Sequence, residues 1–262
     1  MGRKPREKSA TGIYHVMLRG VNRQDIFEDE EDYIVFKHQL YHVVYFKDEN
    51  GKPQPPRCII YAYCLMTNHV HLLIRETEEE LSTVIKRITV SYAHYYNGKY
   101  QHSEHLFQNR FRSEVVNGEA YFLTLLRYIH QNPIAAGIAK CIQEYRWSSW
   151  MEYENYSEGK QTICTVRHVL KRMPLAELRA LVFELLPKAS LILDFDNEGR
   201  RRTDDEIKTF LSKSFGLRLP TELQLLSQER RCDILRMTKQ YGASIRQLER
   251  LTGLSFTIVR MA

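Results

Sequence analysis

The order in which strand and helix signals alternate is the strongest constraint on what this chain folds into. Residues 12–19 are β-branched and aromatic and run into Gly20, so they read as a first strand. Residues 29–46 open on acids and carry apolar residues at helical spacing, and the Gly- and Pro-bearing stretch 47–57 stops them. Residues 58–65 and 70–75 are apolar, β-rich runs split by Met66, Thr67 and Asn68, which is the pattern of a hairpin. A helix over 79–96 follows, with Leu81, Ile85, Ile88 and Tyr92 on one face. Then come a short strand at 111–116 and a helix at 119–132 that Pro133 is expected to end. The β-α-β-β-α-β-α order with a central hairpin predicts an α+β fold, a ferredoxin-like antiparallel sheet with helices on one face.

Beyond Trp150 the character changes. A polar stretch leads to a region that reads as helical throughout, with segments near 166–172, 175–185, 204–215 and 222–241. The expected organisation is therefore a catalytic-type domain over 1–155, a linker over 156–165 and an all-α region over 166–262. Residues 244–255 have the helix, Gly-containing turn and second-helix start of a helix-turn-helix, placed near 228–262.

Composition narrows the classes. Hydrophobic residues make up 43% and charged residues 27%, which excludes a wholly disordered or low-complexity chain. No apolar run approaches the ~20 residues that cross a bilayer, and the basic start Gly2-Arg3-Lys4 has no apolar segment behind it. No membrane association is expected. The 5 cysteines are odd in number and hold no Cys-x-x-Cys pair, which suits a reducing cytoplasm. A formal charge of +6 admits a polyanion partner but does not select one against a merely solvated surface.

Two small constellations carry chemistry. His69 and His71 open the second hairpin strand, and alternation points both imidazoles to one face while Val70 points to the other. Such a pair can chelate a divalent ion, although two histidines at a strand start are more often ordinary polar residues. Tyr128 and Asn132, four apart on a helix, share one side and flank the apolar stripe Phe122, Leu125, Leu126, Ile129. Taken alone, Tyr128 reads as a half-buried edge tyrosine and Asn132-Pro133 as a helix stop. Together the four residues offer three donors suited to Mg²⁺ or Mn²⁺ and one oxygen nucleophile. A phenol with an ordinary pKa of about 10 is a poor nucleophile until a nearby cation stabilises the phenolate. In-line attack on a phosphodiester would then exchange one phosphodiester for another without ATP.

At this point the sequence resembles the HUH single-tyrosine transposases, particularly the REP-associated tyrosine transposase branch, over residues 12–153. The resemblance rests on five blocks in order. They are Tyr14-His15-Val16 with Arg19-Gly20, Asn22-Arg23-Gln24 and Ile26-Phe27; then Met66 to Leu73; then Phe107-Gln108-Asn109-Arg110-Phe111; then Tyr128 to Pro133 with Ala136-Gly137; and Tyr145-Arg146-Trp147-Ser148-Ser149. It implies that His69 and His71 are the metal pair, that Asn132 stands where relatives often carry a glutamine ligand, and that Tyr128 is the nucleophile. It also implies a divalent-metal-dependent endonuclease and strand transferase on single-stranded DNA. Such an enzyme cleaves beside a hairpin, keeps the 5′-phosphate on tyrosine, and sits in a bacterial cytoplasm at the nucleoid.

Arg19, Asn22, Arg23, Arg110 and Arg112 fall near strand ends or loops, and Lys86 and Arg87 on the outer side of the long helix, as candidate phosphate contacts. Tyr92, Tyr95 and Tyr96 are candidates for stacking on unpaired bases. In the C-terminal region Arg246, Gln247, Ser255, Thr257 and Arg260 are candidate contacts to duplex DNA, and Arg200, Arg201 and Arg202 form a basic loop. The competing readings are a non-catalytic DNA-binding regulator working through the helix-turn-helix, and an RNA-binding protein on a ferredoxin-like scaffold. The sequence leaves a monomer and a homodimer equally open.

Overall fold

The computed structural model describes residues 6–108, 110–186 and 204–261. Asn109 and Arg200, Arg201 and Arg202 lie outside the described residues. The chain forms two compact units, Met1–Ile192 and Leu193–Ala262.

In the first unit the elements run β1 (Ile13–Arg19), α1 (Glu30–Val44), β2 (Cys58–Met66), β3 (His69–Glu76), α2 (Leu81–Tyr100), β4 (Arg112–Val115), α3 (Glu119–Ala135) and the short α4 (Trp150–Glu154). The strands make one antiparallel sheet in the order β2-β3-β1-β4. With β1 and β3 central, this is the ferredoxin-like arrangement. Registers Leu18↔Val70 and Val16↔Leu72 put these side chains on one face, and Met17↔His71 and Arg19↔His69 put theirs on the other. Helices α1 and α2 pack together on the first face, where the Lys37 ammonium lies 5.8 Å over the Tyr63 ring. Helix α3 packs across β2 and β3 on the second face, with Phe122 edge-on to Tyr61 at 5.1 Å. The two helices of the ferredoxin-like unit thus share a face as expected, and α3 is an added layer on the other. Its buried stripe of Phe122, Leu125, Leu126 and Ile129 needs that second apolar surface.

The junction of α1 and α2 absorbs the tyrosines. Asp29 caps α1 in a reciprocal box with Asp32. Asp32 is fully buried and accepts from Lys99 at 2.9 Å, Tyr95 Oη at 3.0 Å and Tyr100 Oη at 2.8 Å. Burial alone would raise its carboxyl, but these donors and the Glu28 N–H hold it below the usual carboxylate range. Tyr92 Oη donates to the Ile26 carbonyl and Tyr96 Oη to Glu28 at 3.1 Å. Tyr92 and Tyr96 are buried, which corrects the expectation that they stack on bases, while Tyr95 is half-buried with its hydroxyl held by Asp32.

Two boundaries also shift. Helix α3 runs through Pro133 to Ala135, because a proline in the last turn forfeits a single intrahelical bond. The first core also continues past the expected linker. Ile163, Cys164, Val166, Val169, Leu178 and Val182 are all buried in it, carried by α5 (Val166–Leu170), α6 (Leu175–Phe183) and the segment before them. The Thr165 N–H donates to the Ile60 carbonyl at 2.8 Å. Gln131 on α3 then holds the end of α6, donating at 2.7 Å to the carbonyls of Val182 and Glu184 and accepting from Leu186 N–H at 2.9 Å. Residues 156–165 thus lie within the first unit.

His130 is buried beneath α3 and gives a pH signature. Its Nδ1 lies 2.8 Å from the Leu126 carbonyl, which only accepts, so Nδ1 carries the proton and Nε2 accepts from the Ser149 hydroxyl at 2.8 Å. Burial pushes its pKa down to about 4. The unfolded chain therefore takes up a proton near pH 6.5 that the folded chain refuses until about pH 4, so stability falls with pH across that window. A loss on the order of 3 kcal/mol is expected between pH 7 and pH 4 from this group. Urea unfolding of His130→Gln should show that part of the slope removed.

The second unit is helical: α7 (Asp204–Phe215), α8 (Gln228–Gln240), α9 (Ile245–Thr252) and α10 (Phe256–Met261), around Ile207, Leu211, Leu235, Leu248 and Val259. The helix expected over 222–241 is divided. A 3-10 turn over Pro220–Leu225 precedes α8, whose N-cap Ser227 accepts from the Arg230 N–H. Gly253 closes α9 at φ 70°, in the left-handed region that suits glycine. No described helix is long and apolar enough to cross a membrane, and the 5 cysteines are free thiols.

Candidate active site

The face of the sheet that α3 covers carries the histidines. His69 and His71 stand one above the other at the start of β3, ring centroids 5.0 Å apart and nearly perpendicular. His71 is fully buried and His69 is 9% exposed, so the pair sits at the edge between core and solvent. Tyr128 comes down from α3 so that its ring meets His71 edge-on, with centroids 5.6 Å apart. The structure thus brings together the histidine pair and the tyrosine that the sequence placed on separate elements.

It also adds His15, which sequence reasoning left out of the site. His15 on β1 lies opposite Leu73, on the same face as His71. Its Nε2 is 3.0 Å from His71 Nδ1, and its ring meets Tyr128 at 6.0 Å. On the far side, His15 Nδ1 is 3.9 Å from a carboxylate oxygen of Glu114 on β4. A chain of groups thus runs from Glu114 through His15 to His71. The signal was available in the alternation His15, Met17, Arg19, which places a polar stripe on one face of the first strand. Only the β1–β3 register shows that this stripe meets the histidine pair.

The electrostatics favour a neutral His71. Burial, then the neighbouring His69 and His15, push its pKa well below the ordinary imidazole value. Its Nε2 is buried with no hydrogen-bond partner. An imidazole held neutral, with one nitrogen satisfied and the other directed into a polar site, has the chemistry of a metal ligand. Asn132, one turn beyond Tyr128, donates its amide to the Tyr128 carbonyl at 3.1 Å, which leaves the amide oxygen as its acceptor. Among the described residues no group of three or more His, Cys, Asp or Glu gathers as a metal cage. Two imidazoles thus stand together beneath Tyr128, with Asn132 one helical turn further along α3.

The other candidates divide by location. Arg19 is buried opposite His69, and Arg112 lies opposite Met17 on the same face. Asn22 and Arg23 are exposed with φ of 52° and 66°, and Asn68, beside His69, donates to the Arg23 carbonyl at 3.3 Å. Two successive left-handed, non-glycine residues beside the site are stored strain of the kind found at ligand clamps. Arg110 is exposed. Lys86 and Arg87 are exposed on α2, in the helix layer of the opposite face, and Arg87 pairs with Glu79 at 2.8 Å. In the second unit Arg246, Ser255, Thr257 and Arg260 are exposed. Gln247 is engaged in the capping box of α9 and donates to Asp204 at 2.9 Å.

Comparison with known proteins bears on the first unit. Residues 8–132 match the family model described as Transposase IS200 like. No curated protein matches. Among solved structures, one described as the REP-associated tyrosine transposase bound to a REP hairpin aligns at 17% identity with a TM-score of 0.47, over 62% of this chain and 90% of that chain.

Proposed function

We infer the activity from a premise: residues 8–132 belong to the IS200-like transposase family. On that footing the chain is a single-stranded DNA endonuclease and strand transferase that cuts beside a hairpin through a 5′-phosphotyrosine intermediate. The observation that carries this reading is the Tyr128 ring set edge-on against His71 and His15, beside a buried His71 nitrogen with no hydrogen-bond partner.

The step balances as a transesterification. The Tyr128 oxygen attacks the scissile phosphorus, the new P–O bond forms as the bond to the 3′-oxygen breaks, and the phenolic proton leaves to solvent while the departing 3′-oxygen gains one. The bond count is unchanged, so a 3′-hydroxyl can reverse the reaction and join a strand. His69, His71 and the Asn132 amide oxygen would hold Mg²⁺ or Mn²⁺, which supplies Lewis-acid polarisation of the phosphoryl oxygen when bound. His15 keeps His71 in one tautomer: Nδ1–H of His71 donates to His15 Nε2, leaving the Nε2 lone pair of His71 directed to the site. Arg19, Arg112, Asn22 and Arg23, at or near the histidine end of the sheet, position the strand. The exposed cations of the second unit contact duplex DNA.

The test is incubation of the full chain with a pool of single-stranded hairpin oligonucleotides and Mg²⁺ or Mn²⁺, followed by a denaturing gel. A metal-dependent protein–DNA adduct is expected with single-stranded substrate and none with the same sequence as duplex. Tight duplex binding without any adduct would overturn this reading in favour of a non-catalytic regulator. Preference for RNA of the same sequence would overturn the choice of nucleic acid.

A further inference from the structure

At the end of β3 away from His69, where the first residues of α3 begin, the first unit holds a cavity of about 400 Å³. Arg75, Arg172 and His168 line it, with Asn117, Glu119 and Phe122. Arg75 and Arg172 are exposed and pair with no carboxylate among the described residues. His168 feels both: burial, then Arg172, Arg75 and Lys171, push its pKa below the ordinary value. Two permanent cations, Arg75 and Arg172, thus line one concavity with a single carboxylate, Glu119. Two unpaired arginines on one concavity set up a positive potential that attracts an anion. The first N–H groups of α3 add to the same field, since its N-cap Gly118 offers no side chain to cap them.

The cavity is in line with the candidate active site. Arg75 lies four residues beyond His71 on the same strand and so on the same face, about 13 Å away. Glu119 lies nine residues before Tyr128 on α3, again about 13 Å. Both elements that build the active site therefore reach this cavity at the same span. We propose that it is a second phosphate subsite for the substrate strand, holding a backbone phosphate a few nucleotides from the one Tyr128 attacks. This rests on the reading that single-stranded DNA is the substrate. Charge complementarity and the shared sheet face select a strand phosphate over other occupants.

The experiment is a phosphate-neutralisation scan on the full-length protein. Hairpin oligonucleotides carrying one uncharged methylphosphonate, stepped along the strand on both sides of the cleavage position, are titrated by fluorescence anisotropy. Wild type should lose about 3- to 10-fold in affinity at one remote position. The double variant Arg75→Ala/Arg172→Ala should be indifferent to that position while keeping the wild-type response elsewhere. Its log K against log salt slope should fall by about 0.7 for the lost contact. The charge-retaining Arg75→Lys/Arg172→Lys should recover the slope, and matching thermal unfolding curves exclude a folding defect. A double variant with unchanged slope and an unchanged scan removes the subsite while leaving the DNA-cleavage reading intact. A wild-type protein that binds no single-stranded DNA removes both.

Discussion

Tyr128→Phe is expected to abolish the covalent adduct and slow strand cleavage by at least on the order of 10³-fold, because the reaction loses its only nucleophilic atom. The fold should not change. Phe keeps the ring that meets His71 edge-on at 5.6 Å and His15 at 6.0 Å, and the substitution removes one hydroxyl from a partly buried side chain. Affinity for a hairpin oligonucleotide should stay within about 2-fold, since a phenol in the ground state adds little to a contact dominated by phosphates. Single-turnover cleavage and anisotropy on the same preparation separate the two effects. Equal loss of binding and cleavage would place Tyr128 in substrate recognition instead.

The second large effect concerns the groups behind the tyrosine. His71→Ala is expected to eliminate divalent-metal binding, because it deletes a buried imidazole nitrogen that has no hydrogen-bond partner and sits beside the Tyr128 ring. His15→Leu should weaken Mn²⁺ binding by about 10- to 100-fold, the usual cost of removing a group that orients a ligating histidine. His15→Gln, whose amide oxygen can still accept from His71 Nδ1, should recover most of it. Isothermal titration of the DNA-free protein with Mn²⁺ reads this directly and is independent of catalysis. If His15→Leu binds metal like wild type, the 3.0 Å contact between the two imidazoles is packing alone.

Much of the fold was legible because its signals are local. The alternation in β1, β2 and β3 and the apolar spacing in α1 and α2 gave the ferredoxin-like order within a few residues at each end. His69, His71 and the pairing of Tyr128 with Asn132 were legible because strand and helix periodicities place them without knowledge of the partner element. What needs long-range register was not legible. His15 joins the site only because β1 pairs with β3 so that Met17 faces His71, and no property of residues 12–19 fixes that register. The position of α3 on the face opposite α1 and α2 is likewise a tertiary choice. Residues 163–182 fold back onto the first core through scattered apolar residues that a polar stretch conceals. Tyr92, Tyr95 and Tyr96 looked available for bases because a sequence shows the rings but not the carbonyls and carboxylates their hydroxyls reach.

The most direct test of the central claim is mass-spectrometric mapping of the nucleotide left on the protein after the adduct is trapped and digested with nuclease and protease. The account predicts a 5′-phosphonucleotide on the peptide carrying Tyr128 and on no other residue. A nucleotide found on a different tyrosine, or joined through a serine or histidine, would contradict it.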